Sequence, residues 1–237
     1  MKIISFAVID ENYINPLRVM LKTFRLKNSL PFKVFKLGKF DIPEDLKNIT
    51  DVEYIDFEPK KTLKWVNKNF EKFNKDSFID NLYGPEKIIN MFAHLEIADE
   101  LLKEYDLVFK TDVDIVYFDN VENVLNDFYV SEKSIGMSQE FRSNHMGLNI
   151  YFNAGQILLN SKKCPEICDK ILKTIEEHGF EKFKYLDQDG LNCFFEDIFD
   201  LSIKGFINMV NNHLISNPNP LSFHSPLLIF IKPYFFK

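Results

Sequence analysis

Short apolar runs that end at acidic residues alternate with segments of helical periodicity along most of this chain. Lys2–Ile9 is a short, β-branched, nearly continuous apolar run that is predicted to be a buried strand and is followed by Asp10. Residues 107–110 form a second predicted strand, which breaks at Thr111 and Asp112. Between the two runs, apolar side chains in residues 14–24 recur at helical spacing. Strands that alternate with helices predict an α/β fold with a mostly parallel central sheet flanked by helices.

The same patterns of apolar residues predict the remaining strands and helices. Further strands are predicted at residues 31–37, 52–57, 134–137, 151–160, 201–203 and 206–210, and further helices at residues 62–73, 86–103, 165–178 and 187–195. Pro165 suits the first turn of its helix, since proline needs no N–H donor there. Residues 74–85 carry Asp, Asn, Gly and Pro and are predicted to be a loop. A length of 237 residues fits one large domain.

Charge and cysteine content narrow the class of partner. The net charge is −6 and no long run of Lys or Arg occurs, so a nucleic-acid partner is not expected. Three cysteines argue against a disulfide framework and fit a reducing cytosol. With no recognisable signal peptide or membrane-length apolar stretch, a cytoplasmic protein is expected. The aromatic C-terminal tail is read as a segment packed on the core, or alternatively as a contact with the inner membrane surface.

Two carboxylates, Asp112 and Asp114, lie between two apolar runs. Charge there is costly unless something compensates it, and Mn²⁺ or Mg²⁺ accepts such oxygen ligands together with substrate phosphates. Since Asp10 also follows an apolar strand, we expect all three carboxylates to gather at one rim of the sheet. The alternative is an ordinary acidic turn between strands.

Three later segments carry polar groups suited to a ligand. Tyr151–Asn160 contains Asn-Ala-Gly, where small residues let a ligand approach the backbone and Asn153 offers an amide to sugar hydroxyls. Asp187 and Gln188 precede an apolar helical run, where a carboxylate is often only a helix cap. His224 is either a core residue or a third metal ligand.

The order of these motifs resembles family 8 of the retaining glycosyltransferases, which includes bacterial lipopolysaccharide galactosyl- and glucosyltransferases and glycogenin. The resemblance rests on FKTDVDIV at 109–116, YFNAGQILLN at 151–160 and DQDGLN at 187–192. It implies a GT-A fold and transfer of a hexose from a nucleoside-diphosphate sugar, UDP-galactose or UDP-glucose, to a saccharide or glycolipid acceptor. It also implies Mn²⁺ dependence, retention of anomeric configuration and a place in lipopolysaccharide assembly.

The resemblance also implies roles for matched positions. The nucleobase and ribose would be held by Ala7, Asp10, Asn12 and Tyr13. The ion would be held by Asp112, Asp114 and His224. The sugars would meet Asn153 and Ala154, the anomeric carbon would lie beside Asp187 and Gln188, and the diphosphate would meet Lys232. The nucleotide-sugar-binding catalytic domain is expected to span residues 1–215, with residues 216–237 closing the same domain.

Three positions depart from the family pattern. Ile9 stands where the family often has a second Asp, and His94, expected near a phosphate or carboxylate, stands where many members have Arg. No Gly lies between His224 and Lys232. Two other functions remain open from the sequence: a nucleotidyltransferase, although the chain lacks a Gly-rich phosphate loop, and a non-catalytic module that binds sugar nucleotides.

Overall fold

A seven-stranded sheet forms the centre of the computed structural model, which describes residues 1–73, 84–140, 145–148 and 150–202. The strands are β1 (Ile3–Ile9), β2 (Phe32–Leu37), β3 (Val52–Phe57), β4 (Leu107–Thr111), β5 (Ile135–Glu140), β6 (Tyr151–Asn160) and β7 (Ile198–Asp200). Their order across the sheet is β3-β2-β1-β4-β6-β5-β7. The sequence prediction of a mostly parallel sheet is confirmed.

One strand of the sheet, β6, runs against its neighbours. β1 pairs in parallel with β2 and β4, β2 pairs in parallel with β3, and β5 pairs in parallel with β7, whereas β6 is antiparallel to both β4 and β5. The amino end of β6 therefore lies at the same edge as the carboxyl ends of β1 and β4. This arrangement brings the Asn-Ala-Gly segment beside the segment of the two aspartates.

Helices cover both faces of the sheet. They are α1 (Ile14–Lys27), α2 (Glu44–Lys47), α3 (Lys60–Asn69), α4 (Pro85–Leu101), α5 (Glu122–Val130), α6 (Ile167–His178) and α7 (Leu186–Phe194). Buried side chains of α1 and α5 belong to one apolar core, and those of α3, α4, α6 and α7 belong to the other. The sheet separates two cores, as expected for a three-layer α/β domain.

Alternation along β1 shows how the strand serves both cores. Ile4 and Phe6 contribute to the core under α4, whereas Ala7 and Ile9 contribute to the core under α1. Successive side chains of a strand point to opposite faces, so a strand covered on both sides is apolar at nearly every position. The unbroken apolar run that marked β1 in the sequence follows from this double burial.

Several elements differ from the sequence prediction. The helix expected from Pro165 begins two residues later at Ile167, because Glu166 before it takes a left-handed backbone with φ of 57°. The strand expected at 201–203 is wrong where the structure describes it: β7 ends at Asp200, and Leu201 starts a helical turn. The strand β7 and the helices α2 and α5 were not predicted. The strand expected at 206–210 lies outside the described residues.

Helix α7 lies close to α6 at Gly190. A β-carbon built on Gly190 would stand 2.8 Å from Cγ2 of Ile171 and 3.4 Å from Cδ1 of Ile175. A side chain at this position would push α7 away from α6, and α7 carries Asp187 and Gln188 in its first turn. The close approach therefore helps to set the position of these two side chains.

Among the described residues, no helix has both the length and the apolar character needed to cross a bilayer. The tail for which a membrane contact was considered lies outside the described residues.

Replacing Gly190 by Val is expected to lower the free energy of unfolding by about 1–3 kcal/mol, because the added methyl groups meet Ile171 in a packed core. Urea denaturation would measure the change. Gly84→Ala is the control, since a β-carbon there meets nothing within 4 Å, and it should cost less than about 1 kcal/mol. Equal losses for the two variants would contradict the packing argument.

Candidate active site

Two adjoining cavities form one cleft at the edge of the sheet where β1 and β4 end. The first has a volume of about 360 Å³ and is lined by Asp10, Tyr13, Asp112 and Asp114, among others. The second, of about 270 Å³, lies towards β6 and α7 and is lined in part by Asn153, Ala154, Asp187 and Gln188. The two share Val8, Asn90, Met91 and Asp112. In doubly wound sheets this edge is the usual place for a ligand.

The wall of the first cavity is built where β1 turns into α1. Asp10 caps this turn, its Oδ1 accepting the N–H of Asn12 at 2.9 Å. Its Oδ2 accepts the amide of Asn90 on α4 at 3.5 Å. The carboxylate is thus held between two elements at the mouth of the cavity.

Asp112 stands at the junction of the two cavities and is tied to a buried lysine. The ammonium of Lys110 lies 2.5 Å from Oδ1 of Asp112 and donates to the carbonyl of Ala154 at 2.7 Å. The Lys110 side chain is only 9% exposed, whereas that of Asp112 is 46% exposed. Asp112 is the first residue after β4, and its N–H still donates to the carbonyl of Gly155 on β6 at 2.7 Å. Its side chain therefore emerges on the same face as that of Lys110, two residues earlier.

The second cavity is closed by a network between the start of β6 and the first turn of α7. Gln188 accepts the N–H of Ala154 at 3.0 Å through Oε1 and donates to Glu140 at 2.9 Å through Nε2. Asn153 donates to the same Glu140 carboxylate at 3.4 Å, and its Oδ1 accepts the N–H of Gly155 at 2.7 Å. Both ends of the Gln188 amide are therefore occupied by protein groups.

Buried polar contacts fix α7 against β6. Asn192 bonds both backbone groups of Phe152, at 2.8 and 2.7 Å. Asp189 accepts the hydroxyl of Tyr151 and the N–H of Tyr185, the latter at 2.6 Å. Between them, Leu186 takes a left-handed backbone with φ of 44°, a conformation that costs a non-glycine residue about 1–2 kcal/mol. The network holds this turn and directs Asp187 into the cavity.

His94 and Asp187 meet inside the second cavity, with Nε2 and Oδ2 3.6 Å apart. Burial raises the pKa of Asp187 to about 7; the Lys110 charge opposes this rise and the Asp112 charge adds to it. Burial, reinforced by the Lys110 charge, lowers the pKa of His94 well below its usual value. At neutral pH His94 is thus neutral, and the positive charge of this group comes from Lys110.

The structure brings most of the predicted site residues to the cleft. The predicted positions that line it are Asp10, Tyr13, His94, Asp112, Asp114, Asn153, Ala154, Asp187 and Gln188. Ala7 is instead buried in the core under α1, and Asn12 is exposed beside the cleft without lining it. His224 and Lys232 lie outside the described residues. The roles assigned to all of these residues stay predictions.

Among the residues of the site that were not singled out from the sequence are Asn90, Lys110, Glu140 and Asn192. A signal for Lys110 was available, since it is the one charged residue in a strand otherwise predicted to be buried. Glu140 and Asn192 carried no comparable signal, because the contacts that bring them into the site, Glu140 to Gln188 and Asn192 to Phe152, span 48 and 40 residues of the chain.

The donor set suits a hard divalent cation. Asp112 and Asp114 present carboxylate oxygens to one cavity, and Mg²⁺ or Mn²⁺ commonly binds through one or two carboxylates together with substrate phosphates. Within the described residues, no group of three His, Cys, Asp or Glu side chains forms a metal site by itself. The remaining ligands would have to come from substrate, water or residues beyond the described part.

Asp187→Asn is expected to flatten the pH dependence of stability. A raised folded-state pKa contributes stability that is fully present below the unfolded value near 3.9 and is lost as pH rises through about 7. Between pH 5 and 8 the wild type should therefore lose about 2–3 kcal/mol relative to the variant. Urea denaturation of the metal-free protein at each pH measures this. Asp41→Asn, at an exposed site, is the control, and parallel curves for wild type and Asp187→Asn would refute the prediction.

Comparison with solved structures shows the fold. Galactosyltransferase LgtC, solved with donor and acceptor sugar analogs, superposes with a TM-score of 0.62 and 22% identity over 87% of this chain and 78% of that chain. Mouse xyloside xylosyltransferase 1 matches with a TM-score of 0.60 and 14% identity over 85% of this chain and 86% of that one. The glycosyltransferase GlyE of Streptococcus pneumoniae TIGR4 matches with a TM-score of 0.53 and 21% identity over 91% of this chain and 51% of that one. The predicted GT-A fold is confirmed.

Comparison at the level of sequence shows the family. No curated protein matches the chain. The family described as glycosyl transferase family 8, however, matches residues 4–207, which contain β1 from Ile4 onward and all of the other six strands described above. The predictions of this family and of an enzyme that is a glycosyltransferase are therefore confirmed. The chain belongs to glycosyl transferase family 8.

Proposed function

We propose that this enzyme transfers a hexose, galactose or glucose, from its UDP derivative to a hydroxyl of a saccharide or glycolipid, with Mn²⁺ and with retention of anomeric configuration. The observation that carries the proposal is the continuous cleft from Asp10 through Asp112 to Gln188. Its carboxylate-lined half suits a nucleoside diphosphate with its cation, and its amide-lined half suits a sugar.

A related structure supports the choice of substrates. The matched galactosyltransferase LgtC was solved with analogs of a donor and an acceptor sugar. Since this chain shares its fold and family, we place a nucleotide sugar and a saccharide acceptor in the corresponding cleft. UDP-galactose and UDP-glucose are the donors that the family resemblance suggests.

The first half of the cleft would hold the donor's nucleoside diphosphate. Asp10 and Tyr13 lie at its outer end, suited to the ribose and base, and Asp112 and Asp114 lie towards the second cavity. These two aspartates would hold Mn²⁺, which when bound offsets the charge that develops on the diphosphate leaving group. The edge of the sheet thus places the leaving group beside the sugar-binding half.

The second half would hold the transferred sugar. Asn153 and Gln188 present amides, and the buried Asp187 and His94 present a carboxyl group and a neutral imidazole. Because the Asn153 and Gln188 amides are fixed by hydrogen bonds to β6 and Glu140, they need little rearrangement to orient a sugar. Such positioning of the acceptor hydroxyl against the anomeric carbon supplies several kcal/mol of catalysis.

The same contacts favour same-face attack over a covalent intermediate. Gln188 is a weak nucleophile whose Oε1 already accepts the Ala154 N–H. Asp187 is buried with a pKa of about 7, so much of it is protonated near neutrality and not available to attack. In the proposed step the bond from the anomeric carbon to the phosphate oxygen breaks, and the acceptor oxygen bonds on the same face. The departing phosphate oxygen takes the acceptor's proton.

Asp112→Asn is expected to lower kcat/KM for the preferred UDP-hexose at least 100-fold, about 3 kcal/mol of transition-state stabilisation, because it weakens the carboxylate pair that holds the cation. Release of UDP measures turnover, and the rise in Tm caused by UDP with Mn²⁺ measures binding. Asp56→Asn, at a side chain 77% exposed on β3, is the control and should keep wild-type activity. If the wild type bound UDP-hexoses but released no UDP, with either a saccharide or water as acceptor, the chain would be a binding module and the proposal would fail.

Retention of configuration without a covalent glycosyl-enzyme intermediate can be tested separately. Proton NMR of the first product formed from an α-linked UDP-hexose should show an α-linkage, and mass spectrometry of the quenched enzyme should show no added hexose on Asp187 or Gln188. A β-linked product would exclude retention. A hexose adduct on Asp187 would instead replace same-face attack by double displacement.

A further inference from the structure

We propose that Lys110 is a positioning residue that couples the binding of the divalent cation to the binding of the nucleotide. The inference rests on the proposed function, since it concerns the cation that Asp112 and Asp114 would hold. It adds a residue to which neither the motif pattern nor the comparisons assign a role.

Lys110 is a charged residue inside a strand that is otherwise buried. All five residues of β4 are buried, and the Lys110 side chain is 9% exposed. A lysine in such a place is costly unless its charge is paired and its donors are used. Here the ammonium meets Oδ1 of Asp112 at 2.5 Å and the carbonyl of Ala154 at 2.7 Å.

These contacts connect the two halves of the cleft. Asp112 belongs to the carboxylate-lined half, and Ala154 lies on the strand whose N–H groups and amides line the sugar half. Lys110 therefore holds the Asp112 carboxylate against β6 and directs one of its oxygens away from solvent. The conformation of this carboxylate is set before any ligand arrives.

The same ammonium opposes binding of a cation to the free protein. A fixed positive charge in contact with Asp112 neutralises much of the attraction that this carboxylate offers to a dication, and the low dielectric of a buried site strengthens the effect. A diphosphate brings negative charge and oxygen ligands of its own, which restores that attraction. Mn²⁺ should consequently bind weakly alone and much more tightly with UDP.

The test measures Mn²⁺ binding directly, from the electron paramagnetic resonance signal of the free ion, with and without UDP. Wild type should bind Mn²⁺ at least tenfold more tightly when UDP is present. Lys110→Met and Lys110→Gln should bind Mn²⁺ at least fivefold more tightly than wild type in the absence of UDP. Both should show a smaller gain on adding UDP. Gln keeps a donor for the Ala154 carbonyl, so it separates loss of charge from loss of the hydrogen bond.

Two further variants serve as controls. Lys110→Arg retains the charge and should restore the weak binding of free Mn²⁺. Lys33→Gln removes a lysine from β2, and this lysine lines neither cavity. Its ammonium pairs with the Glu53 carboxylate at a distance of 3.4 Å. The variant should leave Mn²⁺ binding unchanged. A general change of net charge would move Lys33→Gln together with the Lys110 variants and would overturn the inference.

The outcomes separate this inference from the proposed function. If wild type binds Mn²⁺ with UDP but Lys110→Gln binds the free ion no more tightly than wild type, the role of Lys110 is refuted and the proposed function stands. Equal affinity of wild type for Mn²⁺ with and without UDP would also refute the coupling, and needs no variant. If neither protein binds Mn²⁺ even with UDP, the metal dependence in the proposed function fails, and the inference fails with it.

Discussion

The antiparallel pairing of β6 with β4 is the constraint on which the site depends. Thr111 lies opposite Gln156, and one residue further the N–H of Asp112 donates to the carbonyl of Gly155 at 2.7 Å. Because β6 runs opposite to β4, the exit of one strand meets the entry of the other. A parallel strand in this place would put Asn153 and Ala154 at the far edge of the sheet, away from the carboxylates.

The electrostatics of the cleft follow from this juxtaposition. Three charged or chargeable groups, Lys110, Asp112 and Asp187, line the second cavity with neutral His94 beside them. Lys110 and Asp187 are buried, whereas the Asp112 side chain is 46% exposed. One cation cannot fully compensate two carboxylates in such an environment. Protonation of Asp187 relieves part of the excess in the free protein. On the proposals made above, this balance would let the cluster bind a cation weakly by itself and tightly once a diphosphate is present.

Helix α7 supplies Asp187 and Gln188 to the second cavity, and contacts with α6 and β6 determine its position. Gly190 lets it approach α6, and Asn192 bonds it to β6 through Phe152. The left-handed Leu186 then turns the chain so that Asp187 and Gln188 enter the cavity. Conformational cost at one residue is balanced here by a network that over-determines the turn.

The local sequence pattern was enough to predict the bounds of some strands. The bounds of β3 and β6 were predicted correctly, since each is a continuous strand-forming run with clear breaks on both sides. Helix α5 was not predicted, because only Leu125 and Phe128 of its nine residues are fully buried, while Val124 and Tyr129 are only partly buried against the core. Two fully buried positions in a short helix leave little periodicity to detect.

The sequence by itself determined the alternation of strands and helices, the order of the motifs and the residue types that suit a sugar nucleotide and a cation. Only the tertiary structure decided that Lys110 bridges Asp112 and Ala154, that Glu140 takes the Gln188 amide, and that Ala7 and Asn12 do not line the cleft. The physical reason for this division is that a sequence motif consists of residues that are close together along the chain. Hydrogen bonds and desolvation depend instead on which strands lie side by side and in which direction they run.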